Sequence, residues 1–376
     1  MGDQSIAAHF AALEDPRVER TKKHSLGAIL LIALCAVICG ADSWVEVEQF
    51  GRAKQEWLAS VVDLPHGIPS HDTFGRVFAA LNPEQFAAGF RAWVAGVQQA
   101  TDTEVIGIDG KTLRRSHQRG AGLGPLHMVS AWASQSRLVL AQVAVPGKTN
   151  ELGALPSVLA LLALEGCIVT IDAMGCQTAI ARTIITGNAD YVLALKGNQE
   201  RLAADVAALF TDAQAVDFVG IEHDSDRRRE KDHGRVEVRE TWVIHDPAHL
   251  HYVDPDDRWA GLRSLVMVRA TTHSAAGVSS ETRYYISSLR GSARQIQDAV
   301  RSHWGIETGL HWILDMAFRE DECRVRTGHA AHNFALLRHA ALNLLRHETS
   351  LRCGVKAKRM RAGWDTAYLL KVVASI

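Results

Sequence analysis

The sequence predicts a mixed α/β fold in which helices cover a mixed sheet, with a helical domain preceding it. Three observations support this prediction. Residues 1 to 98 have helical periodicity, short β-branched runs begin at residue 104 and form a hairpin, and helices then alternate with strands. A hairpin followed by alternating helices and strands is typical of a mixed sheet with covering helices.

Composition and charge limit the classes of protein to consider. The 376 residues are 47% hydrophobic and 22% charged, as in a globular protein of two or three domains. The net charge of -1 excludes a uniformly basic surface, so a polyanionic partner would be held by local patches. The six cysteines form no CxxC pair, which argues against zinc fingers and a disulfide framework and favours the cytosol.

Residues 1 to 98 are predicted to form a helical domain that binds DNA or is associated with the following α/β domain. Its most apolar run, from Leu26 to Ala41, is shorter than the ~20 residues of a spanning helix, so we expect a buried core helix and no membrane partner. Asp42 or Ser43 and then Ser70 are candidate N-caps of the following helices. The Pro/Gly turn between those helices fits a helix-turn-helix DNA reader, but ordinary helical bundles share the pattern.

The remainder divides into four predicted segments. A catalytic core begins over 104 to 212, a β-rich insertion covers 213 to 289, and the core resumes over 290 to 345 with a long helix. The segment 346 to 376 is predicted to be a basic tail, with seven Lys or Arg against two acids.

Two aspartates follow apolar strands of this core. Asp109 ends the run "EVIGID" and Asp172 ends "CIVTID", and a glycine follows each closely. Ligand sites of open α/β sheets gather at the carboxyl ends of strands, so the two acids would converge if the strands are neighbours. Each aspartate alone also fits a helix N-cap or a turn.

A third acid is expected on the helix near residues 293 to 319. Glu307 has His303, His311 and Asp315 at helical spacings of four and eight, which makes one polar stripe. Trp304 is expected among the core contacts of this helix. The stripe also fits an exposed polar face, and a His/Glu/His zinc site is a lesser alternative.

Cations near these acids are candidate DNA contacts. Lys111, Arg114, Arg115 and Arg119 follow Asp109, which suits a phosphate backbone or simply a solvated loop. Lys196, after the strand "DYVLAL", joins the predicted DNA-binding set. In the insertion, strand alternation groups the residues that would either face DNA or form a salt-bridge ladder: His233, Arg235, Glu237 and Arg239.

The chain resembles the DDE transposases of bacterial insertion sequences, in the group of the H-repeat-associated proteins. The resemblance extends over almost the whole chain and rests on an ordered series of motifs: "IGIDGKTLR", "KTNEL", "TIDAMGCQ", "ALKGNQ", "DHGRVEVRET", "YYISSL", "HWGIETGLHWILDMAFRED" and "ALNLLRHE". It implies an RNase H-like core, an all-β insertion before the last acid, and the triad Asp109, Asp172 and Glu307. Related hairpin-forming enzymes have Arg and Lys where this chain has His303 and Leu314, so the resemblance does not decide the excision route.

The resemblance implies a cytoplasmic, nucleoid-associated enzyme that cuts element ends and joins them to target DNA. Two Mg²⁺ or Mn²⁺ ions are expected on the three acids, since oxygen ligands favour these ions over zinc. His303, His311 and Asp315 would orient ligands or water around them. The expected partners are double-stranded DNA, both terminal inverted repeats and target, and further copies of the chain on that DNA. The alternatives are a stand-alone metal-dependent nuclease of the same fold and a non-catalytic DNA-binding regulator.

Overall fold

The computed structural model describes residues 6–97, 104–117, 122, 124–145, 151–232, 235–275 and 277–374. The helices of these ranges are α1 Ile6–His9, α2 Leu26–Ile38, α3 Trp44–Ala53, α4 Gln55–Ala59, α5 His71–Ala80, α6 Pro83–Val97, α7 Glu151–Leu159, α8 Thr178–Thr186, α9 Glu200–Ala215, α10 Pro247–Val253, α11 Ala293–Gly305, α12 Trp312–Phe318, α13 Ala330–His347, α14 Val355–Trp364 and α15 Thr366–Ala374. The strands are β1 Val105–Thr112, β2 His127–Ala133, β3 Leu138–Val145, β4 Ile168–Ile171, β5 Asp190–Leu195, β6 His223–Asp232, β7 Arg235–Ile244, β8 Ser264–Ser274 and β9 Gly277–Ser287.

The strands of the described chain form one mixed sheet in the order β3-β2-β1-β4-β5-β9-β8-β7-β6. The strands β1, β2 and β3 pair antiparallel as a meander, while β4 runs parallel to both β1 and β5. This arrangement confirms the predicted RNase H-like core. The strands of the predicted insertion continue the same sheet, because β9 pairs antiparallel with β5.

The insertion differs from the expected all-β insertion in one element, the short helix α10, which begins at the N-cap Asp246. Its first strand, β6, has the polar sequence HDSDRRREKD. The sequence lacks the apolar alternation of a half-buried strand, so its pairing with β7 determines the conformation. Charged side chains on such an edge strand also protect it from pairing with other chains.

The N-terminal helices form around the apolar run. Every residue of α2 from Ala28 to Ile38 is buried, which confirms the predicted core helix. Ser43 forms a capping box with Glu46 at the start of α3, and Ser70 caps α5. Among the described residues, no helix has the length and apolarity that crossing a bilayer requires.

The predicted basic tail is folded. Val355–Trp364 and Thr366–Ala374 form α14 and α15, and two of the tail's cations are buried. Lys358 donates to the carbonyls of Leu345 and Glu348, and Arg359 donates to those of Val37 and Ala317. Leu345, Val37 and Ala317 lie in the last turns of their helices, where the helix dipole favours positive charge. Part of the cation excess therefore stabilises helix ends instead of facing solvent.

We predict that Asn343→Ala on α13 lowers the free energy of unfolding by roughly 1 to 3 kcal/mol, since it leaves buried backbone groups unpaired. The Asn343 amide accepts from the Val139 N–H at 2.9 Å and donates to the Val139 carbonyl at 2.9 Å, near the start of β3. Urea unfolding measures the change. A variant as stable as the parent would contradict the structural role of this contact.

Candidate active site

Sheet register brings the two predicted aspartates to one edge. Ile108 of β1 lies opposite Ile171 of the parallel β4, so the next residues of both strands, Asp109 and Asp172, lie side by side at the carboxyl edge. The Asp172 carboxylate also accepts hydrogen bonds from the amides of Met174 (3.0 Å) and Gly175 (3.4 Å). The cap interpretation of Asp172 is confirmed, and the same residue also lines a cavity.

Glu307 lies in a π-helical turn, Ile306–His311, that separates α11 from α12. The long helix expected over 293 to 319 is thus two α-helices with a wider turn between them. Asp109, Asp172 and Glu307 all line one cavity of about 210 Å³. The structure therefore brings together three carboxylates from three separate elements.

The cavity carries excess negative charge. The pKa of Asp109 is raised to about 7, mainly by burial and in smaller part by the charges of Glu151, Asp172 and Glu307. A bound cation would relieve this repulsion, and a set of carboxylate oxygens suits Mg²⁺ or Mn²⁺. In the described ranges, no three His, Cys, Asp or Glu side chains already converge as a metal site. Binding would therefore require the exposed Glu307 side chain to turn towards the aspartates.

The two histidines that were predicted to neighbour these acids lie beside them and are neutral. His303 Nδ1 is 3.1 Å from Thr170 Oγ1, and His311 Nδ1 is 3.4 Å from Asp109 Oδ2. Burial lowers the pKa of both imidazoles, that of His311 to about 3. The histidines can therefore orient groups by hydrogen bonding but do not neutralise the carboxylates.

Lys111 contacts Asp315. Lys111 was expected to contact DNA, and Asp315 was expected to lie beside the three acids. Lys111 Nζ pairs with Asp315 and lies 3.7 Å from Glu320 and 3.8 Å from Asp321. The Lys111 side chain is only 11% exposed, whereas a phosphate contact needs an accessible ammonium group. Because the π turn departs from the 3.6-residue period, the expected polar stripe does not extend in register to Asp315.

The other predicted cations differ in exposure. Arg114 Nε is 3.1 Å from Asp321, but its side chain is 77% exposed. Arg115 is exposed, and its carbonyl accepts a hydrogen bond from Arg326 Nε at 2.7 Å. Lys196 is exposed and lines the carboxylate cavity. Arg119 lies outside the described residues.

Sequence reasoning missed two residues at this cavity. Trp304, expected in the core, is 44% exposed and lines the cavity beside Glu307. The guanidinium of Arg283 lies 4.7 Å from the centroid of the Trp304 ring. The only sequence signal for Arg283 is its place in the apolar strand "TRYYISSL". That place does not identify the face of the sheet on which the side chain lies.

The insertion strands present a charged face next to the cavity. Arg235, Glu237 and Arg239 line a second cavity of about 630 Å³, which shares Arg283 and Trp304 with the first. Arg239 pairs with Glu237 and also lies 3.8 Å from Glu230. Arg301 of α11 pairs with Glu230 too. The salt-bridge ladder is thus present on this face, Arg235 is exposed, and His233 lies outside the described residues.

An RNase H-like sheet with one carboxylate within its first strand, one after its fourth strand and a third on a helical turn beyond a β insertion fits the DDE class of proteins. Residues 100–344 match the family model described as transposase DDE domain, and residues 7–94 match the DDE_Tnp_1-associated model. The chain belongs to the transposase DDE domain family. This membership supports the function of an insertion-sequence transposase.

Relatives match the chain over its whole length. The chain is 39% identical to YncI of Escherichia coli O157:H7, named as a transposase, over 100% of this chain and 96% of that one. It is 36% identical to YhhI of Escherichia coli strain K12, named as an H repeat-associated transposase, over 99% and 98%. A solved piggyBac transposase synaptic complex with hairpin DNA is similar over 99% of this chain and 78% of that chain, with 9% identity and a TM-score of 0.45.

We predict that Lys111→Met destabilises the fold by on the order of 3 kcal/mol, because it leaves Asp315, Glu320 and Asp321 without the ammonium group among them. The matched control is Arg115→Met, which removes an exposed cation just after the same strand and should change stability by less than about 0.5 kcal/mol. Chemical denaturation measures both. Equal effects of the two variants would mean that the ion-pair cluster is not needed for stability.

Proposed function

We propose that this transposase cuts DNA at the ends of its own element and joins the freed 3′-hydroxyls to target DNA, with Asp109, Asp172 and Glu307 as the catalytic acids. The observation that carries the proposal is their meeting in one cavity although they come from β1, the end of β4 and the π turn. Cutting and joining are both attacks on phosphodiesters, so one site can serve both.

The same three acids would hold two divalent metal ions, Mg²⁺ or Mn²⁺. Such ions, ~4 Å apart in two-metal sites, activate the attacking oxygen and stabilise the leaving oxygen. Asp109 is the candidate bridging ligand, because it lies beside Asp172 in the sheet and lines the same cavity as Glu307. Asp172 would offer the carboxylate oxygen that its turn amides leave unused. His303 and His311, neutral and next to Thr170 and Asp109, would orient the groups around them.

Double-stranded DNA, as terminal inverted repeats and as target, is the proposed partner. Lys196 at the cavity and the exposed Arg114 and Arg115 are the candidate phosphate contacts. Arg235 extends this set along the insertion, whereas Arg239 is engaged in the ladder. Two element ends must be cut together, so we propose that copies of the chain assemble on DNA, in the cytoplasm and at the nucleoid.

Activity needs a direct test, because the matching relatives include YbfQ of Escherichia coli strain K12, named as an inactive transposase. Incubating the full chain with a duplex that carries the element's terminal repeat, Mn²⁺ and a target plasmid distinguishes the possibilities. Nicking with joining is the result expected of the transposase. Nicking alone would indicate a stand-alone nuclease, and DNA binding without cleavage would indicate a regulator.

We predict that Asp109→Asn, Asp172→Asn and Glu307→Gln each abolish nicking and joining while the fold and DNA binding persist. Each amide keeps the shape of the side chain but removes the charge that holds a divalent cation. Because the acids act as one unit, a double variant should be scarcely worse than a single one.

The control for these variants is Asp298→Asn, an exposed acid on α11 that pairs with Arg228 and should keep cleavage within about twofold of the parent. Cleavage rates at saturating Mn²⁺ provide the comparison. An active Glu307→Gln beside an inactive Asp315→Asn would show that the third acid has been misassigned.

We predict that Lys196→Ala and Arg115→Ala each reduce the slope of log affinity against log salt concentration by about one unit, the effect of one lost phosphate contact. Arg361→Ala, an exposed cation of α14 that pairs with Asp365, should leave the slope unchanged. Fluorescence anisotropy of a labelled end duplex at several salt concentrations measures it. Unchanged slopes for both variants would assign these cations to a solvated surface.

A further inference from the structure

The π turn that carries Glu307 is an unusual piece of backbone. Ile306–His311 follows α11 and precedes α12 without a break in the chain's helical course. Single π-helical turns are rare and occur often at functional sites. The Trp312 N–H donates to the Glu307 carbonyl, so the turn keeps backbone bonds of its own, and a side-chain partner from elsewhere in the fold would hold it further.

Arg346 of α13 supplies such a partner from outside the helix. Its Nη2 donates to the carbonyl of Gly309, two residues after Glu307. Its Nη1 donates to the carbonyl of Arg137 at 2.9 Å, in the turn between β2 and β3. The planar guanidinium group also lies 4.4 Å from the ring centroid of Trp132. Burial lowers the pKa of Arg346 to about 9, so the group still carries its charge at neutral pH.

Gly309 and Trp132 complete the contact. A Cβ atom at position 309 would lie 3.2 Å from Trp132 Cζ2, so glycine lets the π turn pack closely on the indole. Trp132 pairs with Gly107 of β1, two residues before Asp109. The arginine thus links the turn that carries Glu307 to the part of the sheet that carries Asp109.

We propose that Arg346 is a positioning residue, which holds the π turn so that Glu307 can reach the metal site beside Asp109 and Asp172. The inference rests on the proposed role of Glu307 as a metal ligand. Lysine cannot replace this arginine, because an ammonium group lacks the planar fork that serves two carbonyls and an aromatic face together.

Arg359 offers a matched control for a purely structural role. It is also buried, donates to the carbonyls of Val37 and Ala317, and lies 4.0 Å from the ring centroid of Phe318. Burial lowers its pKa to about 10. The contacts of Arg359 are of the same kind as those of Arg346, but the carbonyls to which Arg359 donates belong to α2 and α12 and not to the π turn.

The test measures Mn²⁺ affinity of the full chain without DNA by calorimetry, together with thermal unfolding and the Mn²⁺ dependence of cleavage. Arg346→Lys and Arg359→Lys should both lower the unfolding midpoint. Only Arg346→Lys should weaken Mn²⁺ binding, by about 10- to 100-fold, the range typical of residues that orient metal ligands. Excess Mn²⁺ should then restore part of its cleavage. Gly309→Ala, which keeps the arginine but displaces the turn from Trp132, should weaken Mn²⁺ binding in the same way.

Unchanged Mn²⁺ affinity in Arg346→Lys, or an equal loss in Arg359→Lys, would overturn the inference. If Arg346→Lys does not fold, Gly309→Ala with parental Mn²⁺ affinity would overturn it as well. The Glu307→Gln variant distinguishes a failure of the positioning role of Arg346 from a failure of the proposed function. If Glu307→Gln binds Mn²⁺ as the parent does, the metal role of Glu307 fails and the positioning role fails with it. If Glu307→Gln loses affinity while the arginine and glycine variants do not, only the role of Arg346 fails.

Discussion

The parallel pairing of β1 with β4 is the contact on which the candidate site depends. It sets Ile108 opposite Ile171, and the next residue of each strand is an aspartate. A change of register by one residue would move one of these acids to the opposite face of the sheet. The meander β1-β2-β3 and the strand β5 hold this pair in the interior of the sheet, and the cavity forms where its strands end.

Three acids close together repel one another, and the surrounding residues do not offset this repulsion. A bound cation would reduce it. The nearby histidines are neutral, and Lys111, two residues from Asp109, turns to a separate group of acids. Burial is the main cause of the raised pKa of Asp109, and the charges of the neighbouring carboxylates add to it. A site built in this way is suited to binding divalent metal ions and the phosphates that accompany them.

Cations that are wholly or partly buried perform a different task in the rest of the fold. Arg346, Lys358 and Arg359 all lie in a segment whose composition indicates a basic tail, yet all three donate to backbone carbonyls. Their long side chains reach carbonyls in the π turn and in the last turns of neighbouring helices. Charge excess in a sequence therefore does not by itself indicate a surface for DNA.

The sequence by itself determined the mixed sheet, the caps Ser43 and Ser70, the buried α2 and the aspartate that follows β4, whereas Asp109 lies within β1 and not at its end. These features follow from local periodicity and capping, which neighbouring residues encode. The tertiary structure decided the strand β6, the π turn, the partners of Lys111 and the positions of Trp304 and Arg346. Each of these depends on contacts between segments far apart in the chain, such as β6 with β7 or Arg346 with Gly309 and Arg137. Which side chain a cation meets, and which face a strand residue occupies, are settled only when those segments pack together.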